Sequence, residues 1–210
     1  NGAVPLLDKQ VLTPDPVREG LAGDPVLYTT WVLFQSNNKS DLYLSRSFDG
    51  AKTWENKKKI YTLEPDLPSN VKTKNATMGA PGIEVMDNGT LINVFNKDVD
   101  ERTFALIRSF DGGSTWESKS TEIAKVITPY GLLDSQVYDP ELLDASGNKI
   151  PIRDAIGGVG DTAVSPDRKI IYVVYQSADP NNKKATVQIT RSTDYGSTWS
   201  KPIKVNNSTA

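Results

Sequence analysis

Apolar and polar residues alternate along most of this chain with a period of two, the pattern of strands that rest one face on a core. Three such runs are DLYLSR (41–46), TFALIR (103–108) and ATVQITR (185–191). Each follows, one loop downstream, a more continuous apolar run: WVLFQ (31–35), LINVF (91–95) and IIYVVY (170–175). These runs are rich in β-branched and aromatic residues, which fit a pleated, buried surface. Further extended segments follow, as in KKIYT (58–62) and KPIKV (201–205), while GIEVM (82–86) and TAVS (162–165) lead into the second and third units. Each unit therefore predicts four antiparallel strands, A to D. In the first unit strand A is placed at Pro25 to Tyr28. No segment carries the period of an amphipathic helix.

Between strands C and D the chain writes nearly the same eight letters three times: SFDGAKTW (47–54), SFDGGSTW (109–116) and STDYGSTW (192–199). Asp49, Asp111 and Asp194 can accept backbone N–H groups within a turn, with Ser47, Ser109 and Ser192 beside them. Gly113 and Gly196 supply positive φ. The first copy has Ala51 at that position, which predicts a looser or differently shaped turn. Trp54, Trp116 and Trp199, three of the four tryptophans, open strand D and can bury a ring between neighbouring sheets. Four-stranded units in tandem point to a β-propeller.

The pattern S-x-D-x-G-x-T-W resembles the Asp box, or BNR repeat, of the sialidase superfamily, and two of the three copies match it fully. The resemblance covers about residues 24 to 206. It implies an all-β, sialidase-like β-propeller of four-stranded antiparallel blades, with about three to four blades in this chain where such propellers usually have six. The approximate blades are 24–63, 79–127 and 160–206, within one domain, and residues 1–23 are read as an extension that adds a strand to a neighbouring blade. It also implies a secreted or cell-surface setting. It does not imply sialidase activity, because the box also occurs in lectins, other glycosidases and proteins of unknown role.

Composition narrows the chemistry. The chain has no Cys and no His, which excludes disulfides, zinc thiolates, cysteine nucleophiles and imidazole catalysis. A formal net charge of −2 offers no polyanion-binding surface, so nucleic acid is not an expected partner. No apolar run approaches a membrane span. N-x-S/T sequons stand at Asn38, Asn75, Asn88, Asn206 and Asn207 and are compatible with secretion. Asp98, Asp100 and Glu101 offer oxygen ligands to calcium but lack EF-hand spacing, and no cofactor or metal is expected.

In four-stranded antiparallel blades the A–B and C–D turns share one end, and the B–C and D–A connections share the other. The latter are the longer ones here, about 64–81 and 127–160 for D–A, and long connections often carry function. A ligand site is therefore expected opposite the boxes. Two faint echoes, VREG (17–20) before Gly23-Asp24 and IRDA (152–155) before Gly160-Asp161, suggest Arg18, Asp24, Arg153, Asp154 and Asp161 as candidates. Guanidinium forks bind carboxylates, and paired carboxylates do acid–base work. The competing reading is ion pairs that tie loops to strand ends. Tyr130 and Tyr138 crowd the second long connection among acids, as a sialidase nucleophile pair or a solvated lid would. Arg46, Arg108 and Arg191, just before each box, are read as structural.

Sialidases of this resemblance carry an R-I-P motif that is absent here, so no catalytic residue is carried over. The expected function is an extracellular module binding a glycan or an extracellular protein. The alternatives are part of a sialidase-like glycoside hydrolase and a structural or self-assembling surface protein. Another chain or copy could complete the propeller, because an open stack leaves sheet faces bare.

Overall fold

The computed structural model describes residues 6–35, 40–63, 77–98, 102–127, 136–143, 146–147, 149–154, 160–179 and 185–206. The first sheet pairs β1 (Leu6–Glu19), β2 (Pro25–Phe34), β3 (Ser40–Ser47) and β4 (Lys58–Thr62) in that order. The second pairs β5 (Thr77–Val85), β6 (Leu91–Asp98), β7 (Arg102–Ser109) and β8 (Thr121–Lys125). A hairpin of β9 (Gln136–Leu143) and β10 (Lys149–Asp154) follows. The third sheet pairs β11 (Gly160–Val164), β12 (Ile171–Ala178), β13 (Ala185–Ser192) and β14 (Ile203–Lys204). Every pairing is antiparallel.

The strand period decides how the sheets stack. In the second sheet, Leu91, Phe95, Ala105 and Ile107 turn to one side and pack with Val26, Tyr28, Val32 and Leu42 of the first sheet. Their neighbours Ile92, Val94, Phe104 and Leu106 turn to the other side and pack with Ile171, Val173 and Tyr175 of the third. The middle sheet is thus buried on both faces. Aromatic rings anchor each seam: Tyr61 lies 4.9 Å from Phe95, and Phe104 lies 5.2 Å from Tyr175, both tilted. Full burial of such rings contributes on the order of 1.5–3 kcal/mol each.

The structure departs from the sequence expectation in the first unit. Residues Pro25–Phe34 form one strand, β2, which is strand B, and the segment read as an extension supplies strand A as β1 within the same sheet. The short alternation of β1 is interrupted by register shifts between Asp8 and Val11 and between Asp15 and Glu19, which hides its period in the sequence. The long connection before the third unit is also not structureless, because β9 and β10 pair within it.

Candidate functional site

The first strand of the second sheet, β5, lies between β1 and β11, the first strands of the other two, and touches both. Thr13 of β1 donates its hydroxyl to the Ile83 carbonyl of β5 at 2.7 Å. Thr162 of β11 donates to Glu84 Oε1 of β5 at 3.3 Å. The approach is close: a Cβ on Gly82 would stand 2.7 Å from Thr162 Oγ1.

One end of this array is occupied by the boxes, and their polar groups are used internally. In the second box, Ser109 donates to Asp111 Oδ1 at 2.8 Å and accepts from Gly113 N at 2.8 Å. Thr115 donates its amide and hydroxyl to Asp111 at 2.8 and 2.6 Å. The third box repeats this with Ser192, Asp194, Gly196 and Thr198. These bonds from Thr53 and Thr115 hold Asp49 and Asp111 at a pKa of about 2. At Asp194 burial opposes the shift, and the Thr198 bonds still bring it to about 2.

The first box corrects one expectation. Ala51 takes φ 71° and its N–H bonds Ser47 Oγ at 2.9 Å, so the turn closes as the other two do. Trp116 and Trp199 pack into the seams with the preceding sheet and donate to the Gly113 and Gly196 carbonyls, both at 3.2 Å. Trp54 has no preceding sheet among the described residues and is 40% exposed.

Arg46 and Arg108 join blades. Arg46 forks Glu55 at 2.6 and 3.2 Å and reaches the Gly112 carbonyl and Ser114 Oγ of the next box at 2.7 and 3.1 Å. Arg108 forks Glu117 at 3.0 and 2.7 Å and reaches Ser197 Oγ at 2.8 Å.

Two ligand candidates fall at this same end, contrary to the sequence reading. Asp24 opens β2 rather than an inner strand, so its turn lies beside the first box: Leu21 N bonds the Phe48 carbonyl at 2.6 Å, and Asp24 pairs with Lys52 at 2.6 Å. Arg18 pairs with the buried Asp15 at 3.0 Å, and Tyr28 donates to the same carboxylate at 2.8 Å. Burial first, and then that bond, push the Tyr28 phenol upward. Arg18, Asp15 and Tyr28 thus tie strand A to strand B. The two Gly-Asp echoes do not form one structural repeat.

Asp161 lies on β11 opposite Val174 of β12 and is exposed. Its Oδ1 accepts the Thr162 N–H at 2.8 Å. Thr162 links it to Glu84, which sequence reading missed. The signal was present: in GIEVM the acid stands between Ile83 and Val85, so it faces the opposite side from the first seam. Burial raises the Glu84 pKa and Asp161 adds to the rise, against the Thr162 bond and the Arg168 charge. Two carboxylates from adjacent inner strands therefore sit in unlike environments, an arrangement suited to sugar hydroxyls and to divided acid and base roles.

The backbones of Tyr138, Arg153 and Asp154 lie in the β9–β10 hairpin, with Tyr138 opposite Pro151 and Arg153 opposite Val137. Tyr130, Asp100 and Glu101 lie outside the described residues. Among the described residues no group of three or more acidic side chains converges as a metal site would require, and no helix is long and apolar enough to cross a membrane.

Among solved structures, the chain is similar to a Hadza microbial sialidase, with 19% identity and a TM-score of 0.55, over 83% of this chain and 34% of that one. It is also similar to the α-L-arabinofuranosidase of Fusarium graminearum, solved with an iminosugar inhibitor, with 16% identity and a TM-score of 0.50, over 93% of this chain and 49% of that one. The chain thus spans less than two thirds of either. No protein-family model matches the sequence, and no curated relative does. At these identities the likeness carries the fold: the three four-stranded sheets are those of a sialidase-like β-propeller.

Proposed function

We propose that this chain is an extracellular Asp-box propeller module that binds a glycan along the inner strands β5 and β11; because Glu84 pairs with Ile92 beside the A–B turn, this site lies nearer the box end than the sequence reading placed it. The observation that carries this reading is the unequal use of polar groups by the boxes and by the inner strands. Box serines, threonines and aspartates close their own turns, and Arg46 and Arg108 clamp the next blade. Asp161, by contrast, stands exposed on an inner strand beside the half-buried Glu84. The fold likeness to a sialidase and an arabinofuranosidase supports a carbohydrate ligand.

A glycan microarray, followed by calorimetric titration of the best binder, tests the proposal. Asp161→Asn and Glu84→Gln are expected to weaken binding about tenfold, the loss of one charge-assisted hydrogen bond. Asp111→Asn is expected to lower stability and leave affinity intact. Absence of binding to any glycan, or equal weakening by the box variant in a folded protein, overturns it. The second reading, part of a glycoside hydrolase, is favoured by the Glu84–Asp161 pair alone. It predicts release of the fluorophore from an aryl sialoside or arabinofuranoside, abolished by Glu84→Gln.

A further inference from the structure

The two internal seams obey one rule. Strand C of the earlier blade supplies Leu44 or Leu106, whose Cδ2 lies 2.8 or 2.7 Å from where a Cβ would stand on Gly113 or Gly196 of the next box. Arg46 or Arg108, two residues on, reaches into that box. Strand B of the later blade answers with a buried aromatic, Phe95 or Tyr175, and its box tryptophan packs into the seam.

Each outer face of the array carries one half of this seam. On the first blade, Trp31 holds the register of Phe95 and Tyr175: it pairs with Tyr43 as they pair with Ala105 and Gln188. The Trp31 and Tyr43 rings stack at 6.0 Å on a face where Leu7 and Leu12 are 53% and 59% exposed. On the third blade, Val187, Ile189 and Arg191 hold the register of Leu42, Leu44 and Arg46, and Val187 is 38% exposed. Large apolar faces of this kind mark an interface.

We propose that a second copy of this chain covers both faces. The trailing face of the third blade of one copy docks on the leading face of the first blade of the other, twice, so that two chains close one ring. Continuity with the internal seams supports the contact, and the departures at the two ends match each other. Ser200 stands where Glu55 and Glu117 fork their arginines: all three bond the backbone carbonyl of Arg191, Arg46 and Arg108 in turn. Among the described residues Arg191 therefore has no carboxylate of its own blade. An acid is present across the seam, since Asp24 hangs over the first box, its Oδ1 3.4 Å from a Cβ on Gly50 and its Oδ2 shared with Lys52 at 2.6 Å. A two-fold ring leaves neither face bare.

Sedimentation velocity over a concentration series tests this. A dimer of twice the 23.0 kDa chain mass is expected. Leu12→Asp and Val187→Asp, at exposed positions on opposite faces, are each expected to weaken dimerisation at least tenfold while circular dichroism stays unchanged. An equimolar mixture should recover dimer, because the mixed pair keeps one unaltered seam. Arg191→Glu and Asp24→Lys should each weaken it, and the doubly exchanged chain should regain it. A monomer up to about 100 µM, dimers indifferent to both faces, or growth into filaments overturns the proposal. None of these outcomes depends on glycan binding.

Discussion

At the scale of single residues, the box is a machine for fixing one aspartate. Each Asp accepts bonds from a serine hydroxyl, a threonine amide and a threonine hydroxyl, and each is held near pKa 2 against an ordinary 3.8. A carboxyl depressed in the folded state favours folding above its unfolded pKa, and that gain disappears as pH falls through the folded value. Urea midpoints are therefore expected to drop between pH 3.8 and about 2, and replacing all three aspartates with Asn should flatten that limb. A slope unchanged by the triple replacement would show that the boxes do not govern acid stability. Ala51 carries a different cost. Its φ of 71° strains any residue with a Cβ, so Ala51→Gly is expected to raise stability by about 0.5–1 kcal/mol in thermal melts, net of the added freedom of the unfolded chain.

At the scale of elements, a box matters because of what the preceding strand C pushes against it. Gly196 and Gly23 share φ +80°, but a Cβ on Gly196 would meet Leu106 Cδ2 at 2.7 Å, while nothing lies within 4 Å of one on Gly23. Gly23→Ala should cost only the backbone term, about 1–2 kcal/mol. Gly196→Ala should cost that and a packing term of about 1–3 kcal/mol more. Equal losses in chemical denaturation would mean that the seam yields freely. The same logic explains Arg46 and Arg108: their partners lie half on their own blade and half on the next, so they report blade order rather than ligand.

At the scale of the whole molecule, the blades are not equivalent. The middle blade buries both faces, whereas the first and third bury one each among the described residues. In a linear stack of nearest neighbours, stability concentrates in the middle. Amide exchange is expected to be slowest in β6 and β7, and fastest in β14 and the first half of β1. Under conditions that favour dimers, the outer faces should gain protection on β2 and β13. Uniform exchange across the three sheets would contradict this ordering.

How much of this was legible beforehand follows from the range of each force. Strands B and C of the second and third units, strand C of the first, and the turns of the second and third boxes were readable, because period-two burial and turn chemistry act over a few neighbouring residues. Strand A of the first blade was not: β1 is interrupted by two register shifts, so its face is set by β2 and β5 rather than by its own alternation. The candidate site divided in the same way. Asp161 was placed on an inner strand from its spacing, but Arg18 and Asp24 moved to the box end once β2 proved to be strand B, and Glu84 emerged only when β11 brought Thr162 to it. The sequence by itself determined a tandem array of four-stranded antiparallel units clasped by aspartate turns, since those features need only local bonds. Tertiary structure alone decided which carboxylates meet on neighbouring first strands and which arginines become clamps, because both depend on strands far apart in the chain packing side by side.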